Sequence, residues 1–381
     1  MKVALVHDYL TQYGGGERTL EALAELFPDA PIFTLLYTPD RLKGRFFDKD
    51  IRTSFLQKIP LAAQHHRFFP WAMPLATEHL DLSEYDLVLS DSASFVKGII
   101  TNPNAIHISF CHTPLRYAWD DSQRYVAEYQ AFPLFLKALT PFVLSAIRIW
   151  DFTAAQRPDI LLANSQHVAR RIRKYYGRDA AVIYPPVNTQ FFSDNKRHAG
   201  TYALMVGRLL AYKRFALGID ACKKAKMPLH IVGDGPEAEY LKKRAKGLDV
   251  VFLGEISDTE LALEYANCKC LLFPQEEDFG IVAVEAMASG VPVVALRRGG
   301  AAEIVEENIS GVFVEEETPE AFAKALQSLD NQDFSENRIR ESAKRFDRSR
   351  FLSAMKQIID NAPLSRHPSV FSNPYSLTPI P

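Results

Sequence analysis

Cysteine is scarce and unpatterned in this chain. The four cysteines, Cys111, Cys222, Cys268 and Cys270, contain no C-x2-C pair, and the spacing of the last two matches strand alternation rather than a zinc site. Neither a disulfide framework nor a structural metal is expected, and a reduced, cytoplasmic setting is. An excess of one charge is missing too. With 44 Lys and Arg against 46 Asp and Glu, the formal net charge is -2, which argues against a nucleic-acid partner held by bulk positive charge. No run approaches the roughly 20 apolar residues that span a bilayer, although Phe132 to Trp150 is interrupted only by Lys137 and Arg148. The opening MKVALVHDY meets His7 and Asp8 after a short apolar core, too soon for the apolar region of a signal peptide, so a first β-strand is expected there. Also absent are the G-x-x-x-x-G-K loop and the G-x-G-x-x-G fingerprint.

What is present is the balance of a soluble globular protein, 47% apolar and 24% charged over 381 residues, long enough for two domains with separate cores. The most informative stretch is PQEEDFGIVAVEAMASGVPVVALRRGGAAE, from Pro274 to Glu303. A buried strand precedes it and a helix follows Gly280, so its acidic turn falls at the carboxyl end of a strand, the edge where open α/β sheets bind ligands. Glu277 and Glu285 are acceptor-only groups suited to pairs of sugar hydroxyls. Their spacing lets them touch different parts of one elongated ligand, or leaves them as a solvated acidic run.

The rest of the chain alternates strand and helix. Val3 to Val6, the Gly14-Gly15-Gly16 run and the apolar spacing of Leu20, Leu23 and Phe27 read as strand, loop and helix. The loop either approaches an anion or is merely flexible. The cluster His65, His66, Arg67, Phe68, Phe69 and Trp71 suits an acceptor or membrane-surface contact, or inward-packed loops. His112 follows the strand Ile106 to Phe110, placed to enter a cleft or to serve the fold. Asn164-Ser165 caps a basic helix through Arg170, Arg171, Arg173 and Lys174, read as a solvated face or a membrane contact. The polar run 188–200 reads as the interdomain linker. Beyond it, Arg208 at a strand end and Lys213 at the next helix start match what a diphosphate requires. Backbone groups around Gly254-Glu255 are placed to line a nucleobase pocket.

Taken in order, GGGE, CHTPLRYAWD, ANS, VGRLLAYKR, VGDGP, FLGEIS and EDFGIVAVEAMASGVPVVA resemble the retaining glycosyltransferases of family 4. The resemblance runs from Met1 to the last helices and leaves the terminal tail uncovered. It implies an α/β GT-B fold, two Rossmann-like domains facing across a cleft, with residues 1–190 as the acceptor domain and 191–346 as the nucleotide-sugar domain. Residues 347–362 are then a helix crossing back to the first domain, and 363–381 an extended tail. The same resemblance implies roles: Arg208 and Lys213 on the donor diphosphate, Glu285 on the ribose, and Glu277 on the transferred sugar with backbone groups of Asp278, Phe279 and Gly280. Gly15 and Gly16 approach the donor from the other domain, and His112 contacts the sugar. No cofactor or metal is implied.

Within that family, HDYLTQYGGGER and CHTPLRYAWD are most similar to bacterial mannosyltransferases that build surface polysaccharides from GDP-mannose. The expected acceptor is a glycan or a lipid-linked saccharide at the inner membrane surface. UDP-glucose and UDP-N-acetylglucosamine remain alternative donors, with sugar choice depending on Glu255, Phe279 and His112. A nucleotide-sugar epimerase and a non-catalytic sugar-nucleotide sensor are the alternatives from other classes.

Overall fold

The computed structural model describes residues 1–60, 63, 70–120 and 134–362, with the side chains of 134–139 left aside. The basic and aromatic positions 65–69, the start of the apolar run at Phe132 and the tail 363–381 lie outside the described residues. The first domain carries β1 (Val3–Leu10), β2 (Ile32–Tyr37), β3 (Ile51–Thr53), β4 (Leu87–Ser92), β5 (Ile106–Cys111), β6 (Ile160–Ala163) and β7 (Ala181–Val182). They form one sheet in the order β3-β2-β1-β4-β5-β6-β7. The second domain carries β8 (Ala203–Val206), β9 (Leu229–Val232), β10 (Val250–Gly254), β11 (Cys270–Phe273), β12 (Val293–Leu296) and β13 (Gly311–Val314), in the order β10-β9-β8-β11-β12-β13.

All the pairings are parallel. Parallel sheets are covered on both faces, so their central strands read as unbroken apolar runs. CLLF in β11 and VVAL in β12 are buried throughout. The four cysteines are free and buried in these layers. The helices that position the cleft are α1 (Gly15–Leu26), α2 (Leu134–Ala154), α3 (Gln166–Tyr176), α4 (Phe215–Ala225), α5 (Asp258–Asn267), α6 (Ile281–Ala288) and α7 (Arg348–Asp360).

Both sheets reverse their strand order, between β1 and β4 and between β8 and β11. Such switch points open a crevice beyond the carboxyl ends of the strands. The two crevices face one another. The chain crosses between domains twice, and the crossings are joined: Val187 N–H donates to the Phe346 carbonyl at 3.2 Å, and Arg348 N–H to the Val187 carbonyl at 2.9 Å. The polar run 188–200 is therefore not a free linker. It contains the short helix Thr189–Ser193, whose Phe192 is buried in the second core with Phe273. Helix α7 returns to the first domain, where Phe351, Met355 and Ile359 join Leu5 and Phe110 in its core.

One buried charge pair ties the first domain's periphery together. Lys97 and Asp151 lie 2.5 Å apart with neither side chain exposed. Asp151 also accepts hydrogen bonds from Trp119 Nε1 and the Tyr176 hydroxyl, both at 2.8 Å. Removing one member of a buried pair strands the other, at a cost of about 3–5 kcal/mol. Lys97→Ala is expected to lower stability by that amount in urea unfolding, and a loss below about 1 kcal/mol would contradict the role given to the pair.

Candidate functional site

The acidic turn stands where β11 ends and α6 begins. Its shape is set by glycine packing: a Cβ at Gly299, which has φ +61°, would overlap the Glu277 carbonyl, and one at Gly300 would overlap the Phe279 backbone. Gly300 N–H donates to the Glu277 carbonyl at 2.8 Å. The RRGG turn thus clamps the backbone of the EDFG turn. Gly280 has φ +114° at the start of α6, a conformation that favours glycine.

Of the residues singled out in the sequence, Lys213 and Glu277 meet directly as an ion pair. Gln275 Nε2 donates to the same carboxylate at 2.9 Å. Burial pushes the Lys213 ammonium pKa down, but Glu277 and Tyr212 more than offset it, so the pKa is raised and the ammonium stays charged. Lys213 is delivered by a tight turn in which Arg214 takes φ +58°. Arg208 is exposed and donates to Gln12 Oε1 of the first domain at 3.2 Å.

Glu285 sits deeper, 2% exposed on α6. Tyr265 hydroxyl donates to its Oε2 at 3.1 Å, and Arg18 of α1 pairs with its Oε1. Arg18 also holds Asp258 at 2.9 Å. The carboxylate expected at a ribose therefore faces an arginine from the opposite domain. Glu255 is exposed at the far lip, 4.0 Å from Lys43.

Phe279 presents no side chain to the cleft, whereas that of Asp278 reaches across it. Phe279 stacks at 5.7 Å on Tyr184 and meets Phe346 at 5.5 Å, in the aromatic cluster beside the two crossings. Asp278 bridges two arginines of the first domain, with Arg116 Nη2 at 2.9 Å and Arg171 Nη1 at 2.5 Å. Burial raises its pKa, yet Arg116 and Arg171 overcome that and hold it below the usual carboxylate range. The basic helix is thus not wholly a solvated face: Arg171 is 9% exposed and pairs with Asp278 and Asp120. Its neighbours Arg170 and Lys174 are exposed. Glu303 of the second domain accepts from Gln166 and His167 N–H at the start of α3, each at 2.7 Å.

Across the cleft, His112 belongs to a charged cluster that the sequence did not reveal. His7 and Asp91 are register partners on β1 and β4. His7 Nδ1 lies 2.9 Å from Asp91 Oδ2, and His112 Nε2 lies 2.6 Å from Asp91 Oδ1. Glu17 Oε1 stands 3.7 Å from His7 Nε2, while its other oxygen accepts from Gly14 N–H at 2.8 Å. Gly15 and Gly16 are not a loose loop but the first turn of α1. A Cβ on Gly15 would come within 2.9 Å of Ile281 on α6, and one on Gly16 within 3.4 Å of His7. Burial opposes charge on both histidines, but Asp91 overcomes it for each, with Glu17 helping His7, whose pKa is raised to about 10. Asp8, next along β1, accepts four backbone N–H bonds from Ala93 to Val96 and fixes the loop behind the cluster. Among the described residues no group of three or more His, Cys, Asp or Glu side chains is arranged to hold a metal ion.

Two family models match this architecture. "Glycosyltransferase Family 4" matches residues 13–191 and "Glycosyl transferases group 1" matches residues 187–346. The chain belongs to the GT-B glycosyltransferases of family 4. Among curated proteins it is similar to O-antigen chain mannosyltransferase C of Escherichia coli, 26% identical over 204 residues, covering 49% of this chain and 55% of that one. It is also similar to a GDP-mannose-dependent alpha-mannosyltransferase of Corynebacterium glutamicum, 36% identical over 111 residues, covering 29% of this chain and 26% of that one. The chain spans about half or less of the length of the curated relatives it matches first. Anabaena HepE, solved with UDP and glucose, shares the fold with a TM-score of 0.70 at 20% identity, over 95% of this chain and 100% of that one.

The histidine cluster makes a pH-dependent contribution. A histidine whose pKa rises on folding stabilises fully below its unfolded value of about 6.5, and that contribution is lost as pH climbs through the folded value. For His7 the loss runs from about 6.5 through about 10. Thermal melts across that window should fall more steeply for the wild-type protein than for His7→Gln; parallel pH profiles would contradict the assignment.

Proposed function

We propose that the protein transfers a hexosyl group from a nucleoside-diphosphate sugar to an acceptor hydroxyl, with retention at the anomeric carbon. The observation that carries this reading is the Lys213–Glu277 pair at the mouth of the second domain's switch-point crevice, facing the His7–Asp91–His112 cluster of the first. A donor diphosphate there takes over from Glu277 as counter-charge to Lys213, with Arg208 on its other side. That exchange leaves Glu277 to accept from the hydroxyls of the sugar. Glu285 accepts from the ribose once Arg18 yields or shares its carboxylate.

The reaction balances within the donor and acceptor alone. The bond from the anomeric carbon to the leaving phosphate oxygen breaks through an oxocarbenium-like state, and the acceptor oxygen forms its bond on the same face. The acceptor proton passes to the departing diphosphate. Arg208 and Lys213 stabilise the charge that develops on that leaving group, where preorganised cations act most strongly. Asp91 raises the pKa of His112 and binds its Nε2, which leaves Nδ1 to meet a sugar hydroxyl.

The donor we favour is GDP-mannose, supported by the mannosyltransferase names among the relatives. The second reading is a UDP-sugar, favoured by UDP in complexes that share this fold. The acceptor is a glycan or lipid-linked saccharide of surface polysaccharide synthesis, reached at the inner face of the membrane. No helix among the described residues is long and apolar enough to cross a bilayer. Phe142 and Ile149 of α2 are 74% and 69% exposed, which suits peripheral contact.

The two carboxylates should separate kinetically. Glu285→Gln should raise the donor KM with kcat largely kept, and Glu277→Gln should lower kcat. Removing one preorganised charge-stabilising group costs about 10²–10³-fold in kcat, so Arg208→Ala with Lys213→Ala should lower nucleotide release at least a hundredfold. Wild-type turnover by that double variant would overturn the assignment.

A further inference from the structure

A second cavity opens between the domains beside the acidic turn, with a volume of about 420 Å³. That lies within the roughly 300–1,000 Å³ of small-molecule sites. Its first-domain wall is cationic: Arg116, Arg170, Arg171 and Lys174 line it. Four carboxylates face or adjoin it, and three of them are already engaged. Asp278 is held by Arg116 and Arg171, Asp120 by Arg171, and Glu317 by Arg214 at 2.5 Å. The fourth, Glu276, lies 3.9 Å from His167. Arg170 and Lys174, one turn apart on α3, have no ion pair among the described residues.

Aromatic faces stand beside these cations. Tyr175 stacks at 4.9 Å on Trp119, and the Lys174 ammonium lies 5.4 Å from the Tyr175 ring. Tyr212, adjacent in sequence to Lys213, carries the Arg116 guanidinium 5.7 Å from its ring. Exposed cations without an ion pair among the described residues, beside stacked rings, suit a ligand with both an anionic group and a sugar ring.

We propose that this cavity is the acceptor site and that it takes a phosphate-bearing saccharide, with the phosphate or diphosphate on Arg170 and Lys174 and the sugar ring between Tyr175 and Tyr212. The proposal rests on the donor reading above, because it is the Lys213–Glu277 pair that places the transferred sugar next to this cavity. The phosphate belongs either to a soluble sugar phosphate or to a lipid diphosphate carrier, and the pocket recognises the chemistry the two share. Arg116 and Arg171 join the acceptor wall to Asp278, so acceptor binding bears directly on the residue after Glu277.

The test is calorimetric, with Arg170→Ala/Lys174→Ala as the variant. Both positions are exposed, so the variant should keep the wild-type melting temperature. The protein is first saturated with GDP or UDP, which fills the donor phosphate site, and is then titrated with inorganic pyrophosphate. Pyrophosphate should bind the nucleotide-loaded wild type and bind the variant at least tenfold more weakly. Equal binding to both proteins, or binding to neither, would overturn the proposal. If neither nucleotide binds, the donor reading fails and this one falls with it. Flotation with phosphatidylglycerol vesicles separates a headgroup contact from the pocket: wild type that floats but ignores pyrophosphate, with the variant floating less, would show α3 to be a membrane face instead and overturn the proposal.

Discussion

The Asp278 carboxylate is the interaction on which the cleft depends. It is half-buried, it lies on the turn that carries Glu277, and it is neutralised by Arg116 and Arg171 from the other domain. A buried carboxylate without partners would shift its pKa and lose its charge. Its pairing therefore requires the two domains to be together. The same turn is held from behind by Phe279 in the cluster with Tyr184 and Phe346. Contact across the cleft and packing at the crossings thus act on three consecutive residues, Glu277, Asp278 and Phe279, and domain approach is coupled to the position of Glu277.

The parallel sheets explain why these groups meet at all. Each sheet delivers its chemistry at one edge, beyond the strand ends flanking a switch point. β1, β4 and β5 bring His7, Asp91 and His112 to one wall, while the segments after β8 and β11 bring Arg208, Lys213 and Glu277 to the other. Close packing sets the width of the gap, since side chains on Gly15, Gly16, Gly299 or Gly300 would press into it or into the turns that frame it. The Arg18–Glu285 pair spans that gap, so closure brings together charges that a bound nucleotide must share or separate.

Much of this was legible in the sequence, for identifiable reasons. Fully buried strands such as CLLF and VVAL carry their own signal, and Ser165 announced α3, accepting from Val168 N–H at 3.0 Å. The acidic turn and the two cations after β8 stood out because strand ends in parallel sheets are ligand edges. The histidine cluster did not stand out. His7 and Asp91 are 84 residues apart and become neighbours only through β1–β4 register, which no local pattern encodes. Arg116 and Arg18 both lay inside quoted motifs, but an arginine's partner across a domain boundary has no local spacing rule. For the same reason Arg171 read as a solvated charge: helical periodicity gives its face, not what packs against it. The polar run 188–200 misled because its buried anchors, Thr189 and Phe192, stand among residues that are mostly polar and typical of loops.

The central claim is sugar transfer from a nucleotide donor with retained configuration. The most direct measurement incubates the protein with GDP-mannose, UDP-glucose and UDP-N-acetylglucosamine, quantifies nucleotide release, and reads the anomeric configuration of the new glycosidic bond by NMR. The account predicts that one of these donors yields its nucleoside diphosphate and a product with the donor's own configuration. An inverted product, or nucleotide binding with no release from any of the three in the presence of lipid-linked and soluble acceptors, would contradict it.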